Sequence, residues 1–495
     1  MGTSILNLAP SNVWKHFYEL TQIPRPSGQM EAITNFIESF GKKLGLETIR
    51  DKGNNIVIRK PATPGMENKQ TIILQSHLDM VPQKNSDTQF DFSKDPIDAY
   101  VDGEWVKAKG TTLGADNGIG VATTMAILEA TDLIHGPLEG LFTVDEETGM
   151  YGALEIRPGF INGKIMLNLD SEQDGDLYIG CAGGADVSVS FQYEDEGFVS
   201  SGEVGIKISL TGLKGGHSGV DIHLGRANAN KLMFRFLKDA MLKYDARLTS
   251  IKGGSLRNAI PREAFAEILV DGEKNYDRIL QMASYYQDLF NEEYRGIEDK
   301  IELKAEQLIY PAEHPSKLKM IPVDVQHKIT HAIVGCPNGV NNMFADLPDT
   351  VETSSNMAIV QSGEGSTEIK FLARSSSESK KMALCGSIES VFTLAGAAQI
   401  ETGNSYPGWD PNPQSPILAV MEKVFETQRG HKAKVHVMHA GLECGIILSN
   451  VPGLDTVSFG PTIQFPHSPD ERIEIASVQR FWDFLVEILK QAPNN

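Results

Sequence analysis

Residues 141–152 read LFTVDEETGMYG, an apolar run of strand character that ends in three adjacent carboxylates, Asp145, Glu146 and Glu147. Like charges that close repel, and without a cationic partner at least one of them is pushed to hold its proton. The stretch therefore predicts either a fully solvated strand end or a bound cation. Two other runs repeat the pattern: TIILQSHLD at 71–79 ends in His77 and Asp79, and GKIMLNLDSE at 163–172 ends in Asp170 and Glu172. GADNGIGVATTMAILEA at 114–130 is a glycine-containing turn that carries Asp116 into an apolar helix. Strands alternating with helices, with polar residues collected at strand ends, predict an open α/β sheet. Ligands of such sheets bind beyond the carboxyl ends of the strands.

Outward from this block, residues 12–44 have a helical pattern broken at PRPSG, and 47–60 read as a hairpin with its turn at 52–54. After about Gly184 the character changes. A strand (203–213), a helix (225–242), two strands (253–270), a helix and a strand (300–308) follow in the β-α-β-β-α-β order of a ferredoxin-like unit. A looser second copy starts at a helix near 323–334 and runs through strands at 350–361 and 366–375, a helix at 378–396 and a strand to about Gly403. The proline-rich NSYPGWDPNPQSP at 404–416 reads as a return linker, and helices at 417–428 and 478–489 rejoin the first domain. The expected fold class is α/β: residues 1–185 and 405–495 form a mixed open sheet flanked by helices, and 186–404 an inserted α+β lid domain of ferredoxin-like units.

Composition narrows the partners. At 495 residues two or three domains are expected, and a formal net charge of -20 leaves no basic surplus to neutralise phosphates, which excludes a nucleic-acid partner. No run approaches the roughly 18 apolar residues of a membrane span. The N-terminus lacks the basic and apolar regions of a secretory signal, and the cysteines Cys181, Cys336, Cys385 and Cys444 show no C-x-x-C pairing. They read as buried thiols of a reducing compartment, so the expected location is the cytoplasm.

The strand-end residues can now be taken together with His467 in QFPHSPDER. Singly, each has an ordinary reading: a surface histidine, an aspartate bonding within its own turn, an acid capping the next helix. Their coincidence at successive strand ends is what a site of nitrogen and oxygen ligands for a zinc-like ion needs.

SHLDMV, TTLGADNGIG, VDEETGM, NLDSE, GGHSG and FPHSPDE, in that order, resemble the motif series of the co-catalytic zinc peptidases that include carboxypeptidase, aminoacylase and carnosinase relatives. HLDMVPQKN, TLGADNGIG and HAGLECGI resemble more narrowly the bacterial Xaa-His dipeptidase branch, over essentially the whole chain. The resemblance implies two zinc ions, with manganese or cobalt as substitutes: His77 and Asp170 hold one, Glu147 and His467 the other, and Asp116 bridges both and precedes a cis peptide. It implies Asp79 as the acid that orients His77, Glu146 as general base, and His217 as a lid residue stabilising the oxyanion. Asn258, Arg374 and the backbone of Gly441 are implied as substrate-binding groups; Glu443 receives no role. The implied activity is hydrolysis of small dipeptides, Xaa-His and β-alanyl-histidine among them, and the alternative is an aminoacylase acting on N-acyl amino acids with the same metals. A doubled lid can cover a site within one chain where single-unit relatives dimerise, so monomer and homodimer both fit.

Overall fold

The computed structural model describes residues 4–197, 202–309 and 319–495. The chain forms two compact units, Met1–Cys181 with Trp409–Val437 and Leu442–Asn495, and Ala182–Gly408 with Met438–Gly441.

The first unit is built on an eight-stranded mixed sheet, in the order Glu47–Arg50, Ile56–Lys60, Leu138–Thr143, Ile72–His77, Ile165–Asn168, Asp455–Ser458, Asp176–Cys181, Lys434–Met438. Its four central strands run parallel, and antiparallel pairing begins on either side of them. Ile72–His77 and Leu138–Thr143 are buried at every position, so neither shows the apolar–polar alternation of a half-exposed strand. Register pairs His77 with Thr143, Gln75 with Asn168, and Asn168 with Ser458, so the carboxyl ends of the four strands lie level with one another. The strand carrying His77 stops at that residue, and Asp79 lies beyond it rather than continuing the pleat.

The second unit is built around one nine-stranded sheet. Strands Glu203–Thr211, Arg247–Gly253, Ala264–Asp271 and Glu302–Gln307, with helices Ala229–Tyr244 and Gly272–Glu293, form the first ferredoxin-like copy. The second copy departs from the sequence reading. Its first strand is Gly183–Gln192, which pairs with Ser366–Ser375 and Gln399–Tyr406, so the whole first copy is inserted between the opening strand and the helix Val323–Gly335 of the second. The sequence hides this because GGADVSVSFQ is small-residue rich and its partners lie far downstream. The copies join edge to edge where Lys252 pairs with Gln361 and Gly253 with Val360.

Phe392 of helix Glu378–Leu394 packs edge-on against Phe371 at 5.6 Å and Phe191 at 6.2 Å, pinning the opening strand to the rest of its copy. Among the described residues no helix is long and apolar enough to cross a membrane, and all four cysteines are free and buried. Phe392→Ala is expected to cost about 3–5 kcal/mol in the urea-unfolding transition of the second unit; a loss below about 1 kcal/mol would mean that the aromatic cluster does not hold the nested strand.

Candidate metal centre

The five side chains expected as ligands come together at the carboxyl edge of the first sheet. His77 Nε2 lies 3.1 Å from Asp116 Oδ1 and 3.2 Å from Asp170 Oδ1. His467 Nε2 lies 3.2 Å from Asp116 Oδ2 and 2.9 Å from Glu147 Oε2. Asp116 thus turns one oxygen to each histidine. The Asp116–Asn117 peptide is cis, and the Asn117 amide donates to Asp170.

Asp79 Oδ1 lies 3.3 Å from the other ring nitrogen of His77. Its carboxylate also accepts from the backbone N–H of Glu146 at 3.0 Å and of Glu147 at 3.2 Å, and from Ser27 Oγ at 2.8 Å. One buried acid therefore fixes a histidine ring and the turn that carries both glutamates. Despite its burial, His77 keeps the Asp79 carboxyl below the usual range.

Three holding groups received no role from the sequence, although Glu471 and Glu443 lie in the motifs FPHSPDE and HAGLECGI, because most of their partners are backbone atoms. Glu471, 2 % exposed, accepts from four successive N–H groups, Leu113 at 2.7, Gly114 at 2.9, Ala115 at 2.7 and Asp116 at 3.2 Å. These are orphan donors at the start of helix Ala115–Glu129, and a carboxylate satisfies them while complementing the helix dipole. Arg25, also 2 % exposed, donates to Leu78 O and Asp79 O at 3.0 Å and to Gly114 O at 2.5 Å, tying the His77 strand end to the Asp116 loop. Glu443, which received no role from sequence, is 1 % exposed, and its Oε2 accepts from Thr143 Oγ1 at 2.6 Å and Gln75 Nε2 at 2.7 Å. Burial pushes its carboxyl up to about 7. Gly120 keeps the helix close to the Asp170 strand, since a Cβ there would lie 2.8 Å from Leu169 O.

The second unit, taken by itself, places the remaining expected residues as follows. Gly216 and His217 pair with Ile260 and Ala259, and Ser218 N donates to Asn258 O at 2.8 Å, so Asn258 and His217 share one paired turn. His217 Nδ1 accepts from Gly219 N at 3.2 Å and Val220 N at 3.0 Å, which leaves Nε2 as the protonated nitrogen. Burial and the Arg374 charge hold this imidazole below its ordinary value, so it is a neutral donor. Arg374 is 4 % exposed and donates through Nη1 to Tyr406 Oη at 3.0 Å, while its Nε has no partner. Gly441 ends the short segment Met438–Gly441, whose His439 Nε2 lies 2.7 Å from Ser354 Oγ.

The donor set fits a pair of divalent cations. His77, Asp116 and Asp170 form one group, and Asp116, Glu147 and His467 a second, the ligand atoms within each lying within 4.8 Å of one another. Hydrogen bonds to Asp116 and Glu147 push His467 up to about 11, and Asp170, Asp116 and Asp79 outweigh burial to raise His77. Burial raises the carboxyls of Glu147 and Glu146, Glu146 strongly so, with Asp170, Glu443 and Glu147 adding to it. Glu147 Oε1 is buried without a hydrogen-bond partner. Mixed imidazole and carboxylate donors suit zinc-like ions better than magnesium.

Comparison with known proteins identifies the family. The chain is 42 % identical to the cytosol non-specific dipeptidase of Escherichia coli over 491 residues, 99 % of each chain. The crystal structure of aminoacylhistidine dipeptidase from Vibrio alginolyticus matches with a TM-score of 0.91 and 45 % identity, covering 100 % of this chain and 99 % of that one. An aminopeptidase structure from Bacillus cereus shares the fold at 16 % identity and a TM-score of 0.56, covering 98 % and 99 % of the two chains. Residues 73–491, a span that starts in the His77 strand and closes beyond His467, match the model of peptidase family M20/M25/M40, and the chain belongs to that family.

Proposed function

We propose that the chain is a metal-dependent dipeptidase of the cytoplasm, acting on small dipeptides of the Xaa-His type, β-alanyl-histidine included, with two zinc ions that manganese or cobalt can replace. The observation that carries the reading is the split of Asp116, whose two oxygens face two different histidines, each backed by a further carboxylate. His77 and Asp170 would hold one ion, Glu147 and His467 the other, and Asp116 both. Two full-length relatives that bear dipeptidase names support the substrate class.

Divalent ions held there would polarise a peptide carbonyl and lower the pKa of water towards about 7. Glu146 does the proton work. Burial and acidic neighbours raise its carboxyl; ionised beside bound cations, it takes a proton from the attacking water and returns it to the leaving amine. Asp79 holds the His77 ring and the Glu146 turn in one arrangement, so base and ligand keep a fixed separation. His217 offers a neutral Nε2–H to the developing oxyanion, a donor that adds no competing titration near neutral pH. Arg374, a buried guanidinium whose Nε has no partner, together with Asn258 and the Gly441 backbone, receives the substrate carboxylate.

Three outcomes test this. Glu146→Gln is expected to lower kcat by about 10²–10⁴-fold while metal content by elemental analysis stays at the wild-type value; full activity would remove Glu146 as the base. Chelation is expected to abolish hydrolysis of β-alanyl-histidine, and zinc, manganese or cobalt to restore it. Preferential cleavage of N-acetyl amino acids by the reloaded enzyme would instead identify an aminoacylase. The third concerns pH. Both imidazoles bind protons more tightly than free histidine in the metal-free protein and must lose them to ligate. Metal affinity therefore rises with pH, by about tenfold per pH unit for each proton displaced, and zinc addition in weak buffer at pH 7 releases protons. A flat affinity between pH 6 and 8 would contradict the ligand assignment.

A further inference from the structure

Beneath the metal-binding edge a belt of polar side chains crosses four adjacent strands of a sheet that is otherwise apolar there. Gln75 Nε2 donates to Glu443 Oε2 at 2.7 Å, and Asn168 Nδ2 donates to Gln75 Oε1 at 2.5 Å. Ser458 Oγ donates to Asn168 Oδ1 at 2.5 Å, and Ser171 Oγ lies 2.6 Å from Ser458 Oγ. Thr143 Oγ1 donates to the same Glu443 oxygen at 2.6 Å. Every member is buried, none more than 3 % exposed.

The belt's direction follows from its ends. Glu443 Oε2 accepts from both Thr143 Oγ1 and Gln75 Nε2, so Gln75 turns its NH₂ towards Glu443 and its carbonyl towards Asn168. Asn168 must then turn its own carbonyl to Ser458, and the Ser458 hydroxyl, spent on Asn168, accepts from Ser171. All donors point towards Glu443.

Three of the four strands carry a group of the metal centre just beyond the belt. Gln75 precedes His77 by two residues, Thr143 precedes Glu146 and Glu147 by three and four, and Asn168 precedes Asp170 by two. Glu443 itself opens the helix Glu443–Asn450 and touches none of the five expected ligands by hydrogen bond.

We propose that Glu443 is a positioning residue: as the accept-only end of a one-directional hydrogen-bond chain, it locks the strand ends that carry His77, Glu146–Glu147 and Asp170 into one register, and so sets the geometry offered to the two metal ions. This rests on the dinuclear dipeptidase reading. A neutral amide at 443 can donate as well as accept, so Gln75 and Asn168 lose their enforced orientation. Partners one step behind metal ligands typically govern affinity by about 10- to 100-fold.

The test uses the full-length protein as Glu443→Gln, with Thr143→Val as a second variant that removes one donor and leaves the charge. Zinc affinity is measured by competition with a chelator, and cobalt-loaded protein is compared by its visible absorption, which reports ligand geometry independently of turnover. Both variants are expected to bind zinc more weakly, Glu443→Gln by about 10- to 100-fold, to show an altered cobalt spectrum at full loading, and to lose kcat more than KM. Wild-type affinity and an unchanged spectrum in Glu443→Gln, or in Thr143→Val should the first variant not fold, would overturn the proposal. If the variants lose metal affinity while the wild type fails to cleave any dipeptide, the positioning role stands and the dipeptidase reading falls.

Discussion

Mutual repulsion among buried carboxylates governs the first unit. Asp79, Asp116, Glu146, Glu147 and Asp170 converge on the ends of three parallel strands with two imidazoles among them. Negative charge at that density in a buried place either binds protons or binds cations. Nearby carboxylates raise His77 and His467 above the ordinary imidazole value, and burial raises the Glu146 carboxyl. Divalent ions are the other partner that such a cluster can take.

Holding such a cluster in place takes groups that bond to the backbone that carries it. Arg25 and Glu471 perform this on the Asp116 side by engaging backbone carbonyls and N–H groups, so the loop is fixed whatever its side chains bind. Asp79 does the same on the glutamate side. Backbone capture explains the local order of the helix start, where Asp116 and Asn117 depart from helical angles before the regular helix begins. The belt that ends on Glu443 then ties the strands to one another beneath.

The second unit poses a different problem. Its two ferredoxin-like copies share one sheet through a two-residue seam, and the second copy encloses the first in sequence. Nesting gives the opening strand Gly183–Gln192 partners on both edges, so the strand that enters from the first unit is interior and not an exposed edge. Arg374, on Ser366–Ser375 next to that strand, sits buried with Tyr406 as its neutral partner.

Sequence alone determined the class of the fold, and it singled out the inserted domain, the five candidate ligands, Asp79 and Glu146 as expectations. These were legible because each strand is a short apolar run punctuated by its polar end, a local pattern, and because six motifs stand in one order along the chain. Tertiary structure alone decided which residues hold that set. Glu471 acts on a loop more than 350 residues earlier, Arg25 reaches Gly114 O, and Glu443 meets Gln75 across 368 residues, with backbone or neutral amide partners that leave no mark in composition or spacing. The nesting of the second copy was hidden for the same reason. Strand pairing is a non-local choice made by hydrogen bonding and burial between distant segments, and nothing within Gly183–Gln192 says which neighbours it will find.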